Sequence, residues 1–347
     1  MIKHKTDMKR LFLTAIAACL TILPVMAEDV QYGRNVSDNT TGPKVGGYVI
    51  GKYAYTDQDG KNGGDGFSQR LARVYIDGTI LTDFKYRVQV QFNNASFHMK
   101  DYFVEWAHWK EFSVKVGQYK RAFLFENPYN PWNVGFGDYS QITKMFSGMG
   151  DYCGEPSSTG GRDQGIQFQG DLFPIGDGFR LVHYQLQLMN GQGINTTDKN
   201  ARKDLIGTIQ FQPIQDLYIG AFGWKGDYVL NDSVTVGRDR WAIAAKYEHN
   251  SWSARAEYAH SNGKNISEAD GWYAAVGVPV NDWFKVYAKY DVYRSKASQK
   301  SAKTIYSLAP NFQIHKNLML QLQYNYVDNN SNSSHWNEFW AEFYVRF

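Results

Sequence analysis

The sequence predicts an all-β chain that closes into a transmembrane antiparallel β-barrel of about sixteen strands, with a long third extracellular loop folded into the lumen. Three observations point there. Aromatic residues make up 16% of the 347 residues, with 24 Tyr, 10 Trp and 32 Gly against 9 Pro, the composition of many strands joined by tight turns. Apolar and polar residues alternate with period two over about ten residues at a time, which sets one face in an apolar medium and the other in water. The connections alternate between short and long, as they do where periplasmic turns oppose extracellular loops. Beyond residue 27 no apolar run approaches the ~20 residues of a membrane helix. A charged fraction of 20% excludes an acidic or basic disordered polymer.

The N-terminus sets the compartment. Lys9 and Arg10 precede an apolar run from Leu11 to Leu23, and Pro24-Val25-Met26-Ala27 ends on a small residue. Residues 1–27 therefore read as a removed secretory signal, with Met8 a complete alternative start. Ile16-Ala17-Ala18-Cys19 also resembles a lipoprotein box, but cleavage there leaves Leu20 to Val25 as an apolar stub. Removing the signal takes four of 37 basic and one of 34 acidic residues, leaving 33 of each. A neutral chain offers no basic stripe for nucleic acid. Cys153 is the one remaining cysteine, so no internal disulfide forms, and its Gly/Ser/Pro surroundings read as an incidental loop thiol.

A polar periplasmic leader (28–43) precedes the barrel (44–347). Strands are expected near 45–56, 67–81, 84–94, 99–109, 112–121, 163–172, 179–190 and 202–212. Eight more follow near 216–226, 239–249, 252–261, 271–280, 283–294, 303–314, 317–328 and 336–347. The alternation is plainest where Phe84, Tyr86, Val88, Val90 and Phe92 oppose Lys85, Arg87, Gln89 and Gln91. It recurs where Trp241, Ile243 and Ala245 oppose Arg240 and Lys246, and where Leu318, Leu320 and Leu322 oppose Gln321 and Gln323. Thr82-Asp83, Lys110-Glu111, Asn250-Ser251, Asn281-Asp282 and His315-Lys316 are tight turns; 57–66, 191–201, 227–238 and 329–335 are longer polar loops. A periplasmic N-terminus sends strand one outward and every long connection outside.

Trp224, Trp241, Trp252, Trp272, Trp283 and Trp336 fall at or near strand ends, where interface girdles form. In the last segment Phe339, Ala341, Phe343, Val345 and Phe347 share one face and stop on a terminal aromatic, which resembles the signal that barrel-assembly machinery reads. A soluble β-sandwich also alternates, but it lacks this combination of signal, girdle and terminus.

Several segments together resemble the phosphate-selective porins O and P. The second strand, Phe67-Ser68-Gln69-Arg70-Leu71-Ala72-Arg73-Val74-Tyr75-Ile76-Asp77-Gly78, looks like that family's Arg-rich strand. Asp101-Tyr102-Phe103-Val104-Glu105-Trp106 and Val116-Gly117-Gln118-Tyr119-Lys120-Arg121-Ala122-Phe123 look like its next motifs. Arg162-Asp163-Gln164-Gly165-Ile166-Gln167 and Met189-Asn190-Gly191 follow in order. The match spans nearly the whole mature chain and is strongest in its first half. It implies a sixteen-stranded, homotrimeric diffusion porin in the outer membrane of a Gram-negative bacterium, surrounded by outer-membrane lipid, whose third loop narrows the pore.

Residues 122–162 suit that constriction loop: about forty residues, opening on the rigid aromatic run Glu126-Asn127-Pro128-Tyr129-Asn130-Pro131-Trp132. An anion pore calls for Lys and Arg facing the lumen. Alternation places Arg73, Arg87, Lys115, Lys246, Arg255, Lys285, Lys289, Lys303 and Arg346 inward. It also places Asp77, Asp101, Glu105, Asp163, Asp171, Asp204, Glu248, Glu257, Asp291, Glu338 and Glu342 there. The loop adds Arg121, Lys144 and Arg162 against Glu126, Asp138, Asp151 and Glu155. These signs balance, so a water-filled pore with weak or locally patterned selectivity is expected, passing small hydrophilic solutes or anions such as phosphate. Enzyme chemistry is not expected: the histidines are scattered, and neither HExxH nor GxSxG occurs. No Cys/His spacing suits zinc and no P-loop is present, so no metal or cofactor is expected. A pore-less barrel acting as an adhesin is the alternative that conductance separates.

Overall fold

A computed structural model describes residues 42–60, 65–93, 96–176, 178–299 and 301–347. The expected signal (1–27), and the leader (28–43) apart from Gly42 and Pro43, lie outside the described residues. The first eight strands are β1 (Lys44–Thr56), β2 (Asp65–Ile80), β3 (Phe84–Asn93), β4 (Ser96–Trp106), β5 (Ser113–Lys120), β6 (Arg162–Ile175), β7 (Phe179–Met189) and β8 (Asp204–Ile214). The second eight are β9 (Leu217–Asn231), β10 (Val234–His249), β11 (Trp252–Asn262), β12 (Ala269–Asn281), β13 (Phe284–Arg294), β14 (Lys303–His315), β15 (Leu318–Asn329) and β16 (Ser334–Arg346). Each pairs antiparallel with its sequence neighbour, and β1 pairs with β16, so no edge is left. Tyr48 stands opposite Arg346 and Gly51 opposite Phe343. Beyond the last ladder residue, Phe347 N–H donates to Gly47 O at 3.0 Å and Gly47 N–H to Phe347 O at 3.1 Å. Closure satisfies every ladder against lipid, which offers no hydrogen bonds of its own.

Alternation is read out directly. On β10, Trp241 and Ile243 are exposed on the outside while Arg240, Ala242 and Ala244 are buried within. Short turns (81–83, 107–112, 176–178, 215–216, 250–251, 282–283 and 316–317) share one rim with both strand termini, and the remaining connections share the other.

Two expectations need correction. The alternation of short and long connections is incomplete: only residues 94–95 join β3 to β4, and only 232–233 join β9 to β10. The expected loop 227–238 is mostly strand, with Tyr228 paired to Val236 and a turn in which Asn231 Oδ1 accepts from Ser233 N–H at 3.0 Å. Lys225, Gly226, Asp227, Asn231, Asp232 and Ser233 give it a polar composition that reads as loop, although Val236, Gly237 and Arg238 are buried.

The second correction concerns the girdle. Trp241, Trp252, Trp272 and Trp283 are exposed on the outside, but Trp224 and Trp336 are buried within the barrel. Ile219, Ala221 and Gly223 face out on β9, so the phase turns Trp224 inward, where its Nε1–H donates to Asp204 Oδ2 at 2.9 Å. Trp336 Nε1–H donates to Glu338 Oε1 at 2.9 Å.

Candidate pore constriction

The connection between β5 and β6 is built as a folded segment. It carries one short helix, α1 (Gln141–Ser147), whose N-cap Ser140 Oγ accepts from Thr143 N–H at 3.3 Å. Gly148, at φ 84°, ends the helix in the left-handed region that glycine alone adopts freely.

Its aromatic side chains pack against small residues on the inner face. Phe123, Phe125, Val134, Phe136, Ile142 and Phe146 share one buried cluster with Ala242, Ala244, Ala259, Ala275 and Ala309. Phe123 meets Phe222 and Trp224 edge-on at centroid distances of 6.2 and 5.8 Å. The alanines leave the room that the phenylalanines fill.

Its backbone is satisfied by wall side chains, since buried N–H and C=O groups need partners. Ala122 N–H donates to Gln187 on β7 at 2.7 Å. Phe125 and Glu126 N–H donate to the two oxygens of Glu257 on β11, at 2.7 and 2.9 Å. Gln141 N–H donates to Asp291 on β13 at 2.9 Å, and Gly137 N–H to Gln323 on β15 at 2.6 Å. In return Val134 O accepts from Arg255 at 2.5 Å, and Gly135 O accepts from Asn311 and Gln321 at 3.2 and 3.0 Å.

The far end is fixed by charge. Arg121 donates to Glu155 and Asp163, both at 2.9 Å, and Arg238 donates to Glu155 at 2.5 Å. Arg240 reaches both oxygens of Asp151 at 2.7 Å. All three guanidiniums lie over the Trp224 ring, 4.7 to 5.1 Å from its centroid. Cys153 is no incidental loop thiol: it is buried, its Sγ accepts from Arg238 Nε–H at 3.3 Å, and burial pushes its pKa up so that the thiol stays neutral.

The wall on β1 to β6 is basic, and its Lys100 and Lys120 are bonded directly to carbonyls of the segment. Arg87 pairs with Asp77 at 2.6 Å, Arg162 with Asp101 at 2.7 Å, and Glu342 takes both Arg70 at 2.7 Å and Lys52 at 3.5 Å. Three further basic residues are bonded to neutral oxygens. Arg73 donates to Gln91 at 2.7 Å and to the Tyr48 hydroxyl at 2.8 Å. Lys100 donates to Ser158 O, and Lys120 to Asn127 O and, at 3.0 Å, to Tyr129 O.

The expected pore residues lie inside the barrel but around its circumference, on β2 to β6, β10, β11, β13 and the segment, and do unlike things. Lys115 pairs with Glu105 at 3.5 Å, Lys289 with Asp291 at 3.7 Å, and Lys144 with Asp138 at 2.6 Å. Lys246 lies 5.2 Å from the Phe125 ring and 4.7 Å from that of Tyr218, while Lys285 and Arg255 line a cavity of about 240 Å³ near the short turns. Arg121 and Glu126, expected on the pore surface, are fully buried because the segment folds over them. Lys52, Arg70, Lys100, Lys120, Arg238 and Arg240 escaped selection. Arg70 and Lys100 could not be found by alternation: each is the extra residue of a β-bulge, opposite the steps Ile50/Gly51 and Gln89/Val90. Each therefore faces inward beside an inward neighbour, Leu71 or Asp101.

A closed sixteen-strand barrel with an apolar outside and a charged, polar inside defines a class, the outer-membrane diffusion channel. Residues 13–332 match the family model described as Gram-negative porin, and the chain belongs to that family. It forms a water-filled channel in the outer membrane through which small hydrophilic solutes pass passively. No curated protein matches the chain. Solved structures share its fold at low identity. The anion-selective porin of Comamonas acidovorans has a TM-score of 0.67 and 13% identity, covering 88% of this chain and 99% of that one. The trimer form of Vibrio cholerae OmpT gives 0.62 and 11%, over 88% and 99%. The outer-membrane channel DcaP of Acinetobacter baumannii gives 0.61 and 12%, over 88% and 97%.

Proposed function

We propose that residues 122–161 form the constriction of this porin and that the aperture between this segment and the β1–β6 wall favours anions. The observation that carries the reading is the charge imbalance of that wall. Asp77 and Asp101 are each held by one arginine and Glu105 by Lys115, Glu342 on the adjoining β16 is shared by Arg70 and Lys52, and among the described residues Arg73 bonds only the neutral oxygens of Gln91 and Tyr48. Fixed positive charge at close quarters raises the local concentration of anions and lowers that of cations. Inorganic phosphate is among the anions such a wall suits, because guanidinium groups can hold two of its oxygens at once. This agrees with the resemblance to the phosphate-selective porins and with the shared fold of the anion-selective porin of Comamonas acidovorans. The balance of signs read from alternation leaves out Lys52 and Arg70, which share the single carboxylate of Glu342.

We further propose that three copies assemble, as in the trimer form of OmpT, through the uncharged outer face where Val88, Val104, Val116, Phe343 and Val345 are exposed. Assembly machinery reads the β16 strand and its terminal Phe347, and outer-membrane lipid covers the rest.

The reversal potential of the reconstituted protein across a potassium chloride gradient tests the charge reading. The expected sign is that of chloride exceeding potassium, with current reduced when phosphate is added. A zero or cation-leaning potential overturns the anion preference, and an absence of conductance returns the barrel to an adhesin or structural role.

A further inference from the structure

A second feature lies away from the basic wall. On the long-loop rim of the segment, between it and strands β13 to β16, is a cavity of about 410 Å³. That volume falls in the range of small-molecule sites. Its lining is unlike the wall opposite. Three ammonium groups (Lys144, Lys289, Lys303) face three carboxylates (Asp138, Asp291, Glu338), so the formal charges cancel. Lys144 is held by Asp138 at 2.6 Å and Lys289 by Asp291 at 3.7 Å, leaving oriented donors and acceptors without a net field. The Trp340 indole forms part of the same lining. Ser307 is more than nine-tenths buried, and its Oγ has no hydrogen-bond partner among the described residues although it borders the cavity. A buried hydroxyl left unpaired is costly unless something completes it.

We propose that this cavity is a binding subsite for a neutral polyhydroxylated solute of mono- to disaccharide size. A cancelled charge set gives an ion no reason to stay. Paired carboxylates and ammonium groups still accept and donate hydrogen bonds strongly, as several adjacent hydroxyls require. Ser307 Oγ–H then finds its missing partner. The site lies on the outer rim of the constriction segment, which supplies Asp138 and Lys144 to its lining, so it captures solute from the outer side before transit.

The inference rests on the channel reading above, and one experiment separates the two. Open-channel current of the reconstituted protein is titrated with sucrose, with a polyethylene glycol of the same hydrodynamic size, and with glycine, each normalised to that preparation's own salt conductance. Sucrose is expected to lower the current saturably and more than the polymer does. Ser307→Ala should weaken the apparent sucrose affinity by about five-fold, the worth of one hydrogen bond. Lys144→Gln, on the segment itself, should weaken it similarly and carries the test if the strand variant does not assemble. Equal effects of sucrose and polymer, or unaltered affinity in both variants, overturn the subsite while leaving the channel intact. Saturable block by glycine in place of sucrose overturns the polyol assignment in favour of a zwitterion. A preparation without salt conductance overturns the channel reading and the subsite with it.

Discussion

Asp138 and Lys144 show how one ion pair behaves where the segment meets water. Burial alone raises a carboxyl pKa, but the Lys144 ammonium 2.6 Å away outweighs it and holds Asp138 at about 2. Asp138 in turn pushes Lys144 up. The depressed carboxyl keeps its charge as pH falls and loses it only as pH passes through about 2. Asp138→Asn should therefore shift the reversal potential toward anions at neutral pH, and the difference from wild type should persist through mild acid. A difference that disappears near pH 4 shows that the pair is not formed in the membrane. Arg73 gives the complementary test. A unit charge about 10 Å from a permeating ion across water contributes about 0.4 kcal/mol, so Arg73→Gln should lower the chloride-to-potassium permeability ratio roughly two-fold. An unchanged ratio places the aperture elsewhere.

At the scale of the element, the β5–β6 segment is held by three kinds of interaction that act at different places. Aromatic rings fill the space above inward alanines, Glu257, Asp291, Gln187 and Gln323 satisfy its backbone, and the Arg121–Glu155–Arg238 group locks its end. Phe123 is fully buried between the segment and β9. Truncating a buried aromatic to alanine costs about 3–5 kcal/mol. The ladders are untouched by Phe123→Ala, so the barrel should still close while the segment loosens. Single-channel recording should then show higher mean conductance and greater open-channel noise; wild-type values for both mean that the ring does not hold the aperture. Much of this element is legible in the chain, because its length and its Pro-rich aromatic opening already set it apart. Its seat is not, since Ala242 and Ala259 look in sequence like ordinary strand residues.

For the whole molecule, the outer surface matters as much as the bore. Exposed Val, Phe and Tyr residues on β1 to β5 and β16 form a face without charge, and β1 and β16 close on each other through Gly47 and Phe347. Native mass spectrometry of the detergent-extracted protein should give three copies, and a dominant single copy removes the trimer. The sixteen strands were all legible, because a wall one strand thick between lipid and water imposes period two on nearly every residue. Misreadings fall at the bulges of β2 and β4, where that period breaks, at the polar β9–β10 hairpin, and at Trp224 and Trp336, which the alternation itself turns inward.

Sequence by itself determined the strand count, the order of the strands and, away from the bulges, which face of each strand turns inward, since each is a local consequence of alternation between two solvents. It determined too that residues 122–162 are no ordinary connection. Only the tertiary structure decided which inward charges are spent on one another and which remain with neutral partners. That depends on register, on bulges that bring Arg70 and Lys100 to the same face as their neighbours, and on contacts between residues more than a hundred positions apart, such as Glu126 and Glu257. Alternation carries no information about any of these, because it reports the side of the wall on which a side chain lies and not what it meets there.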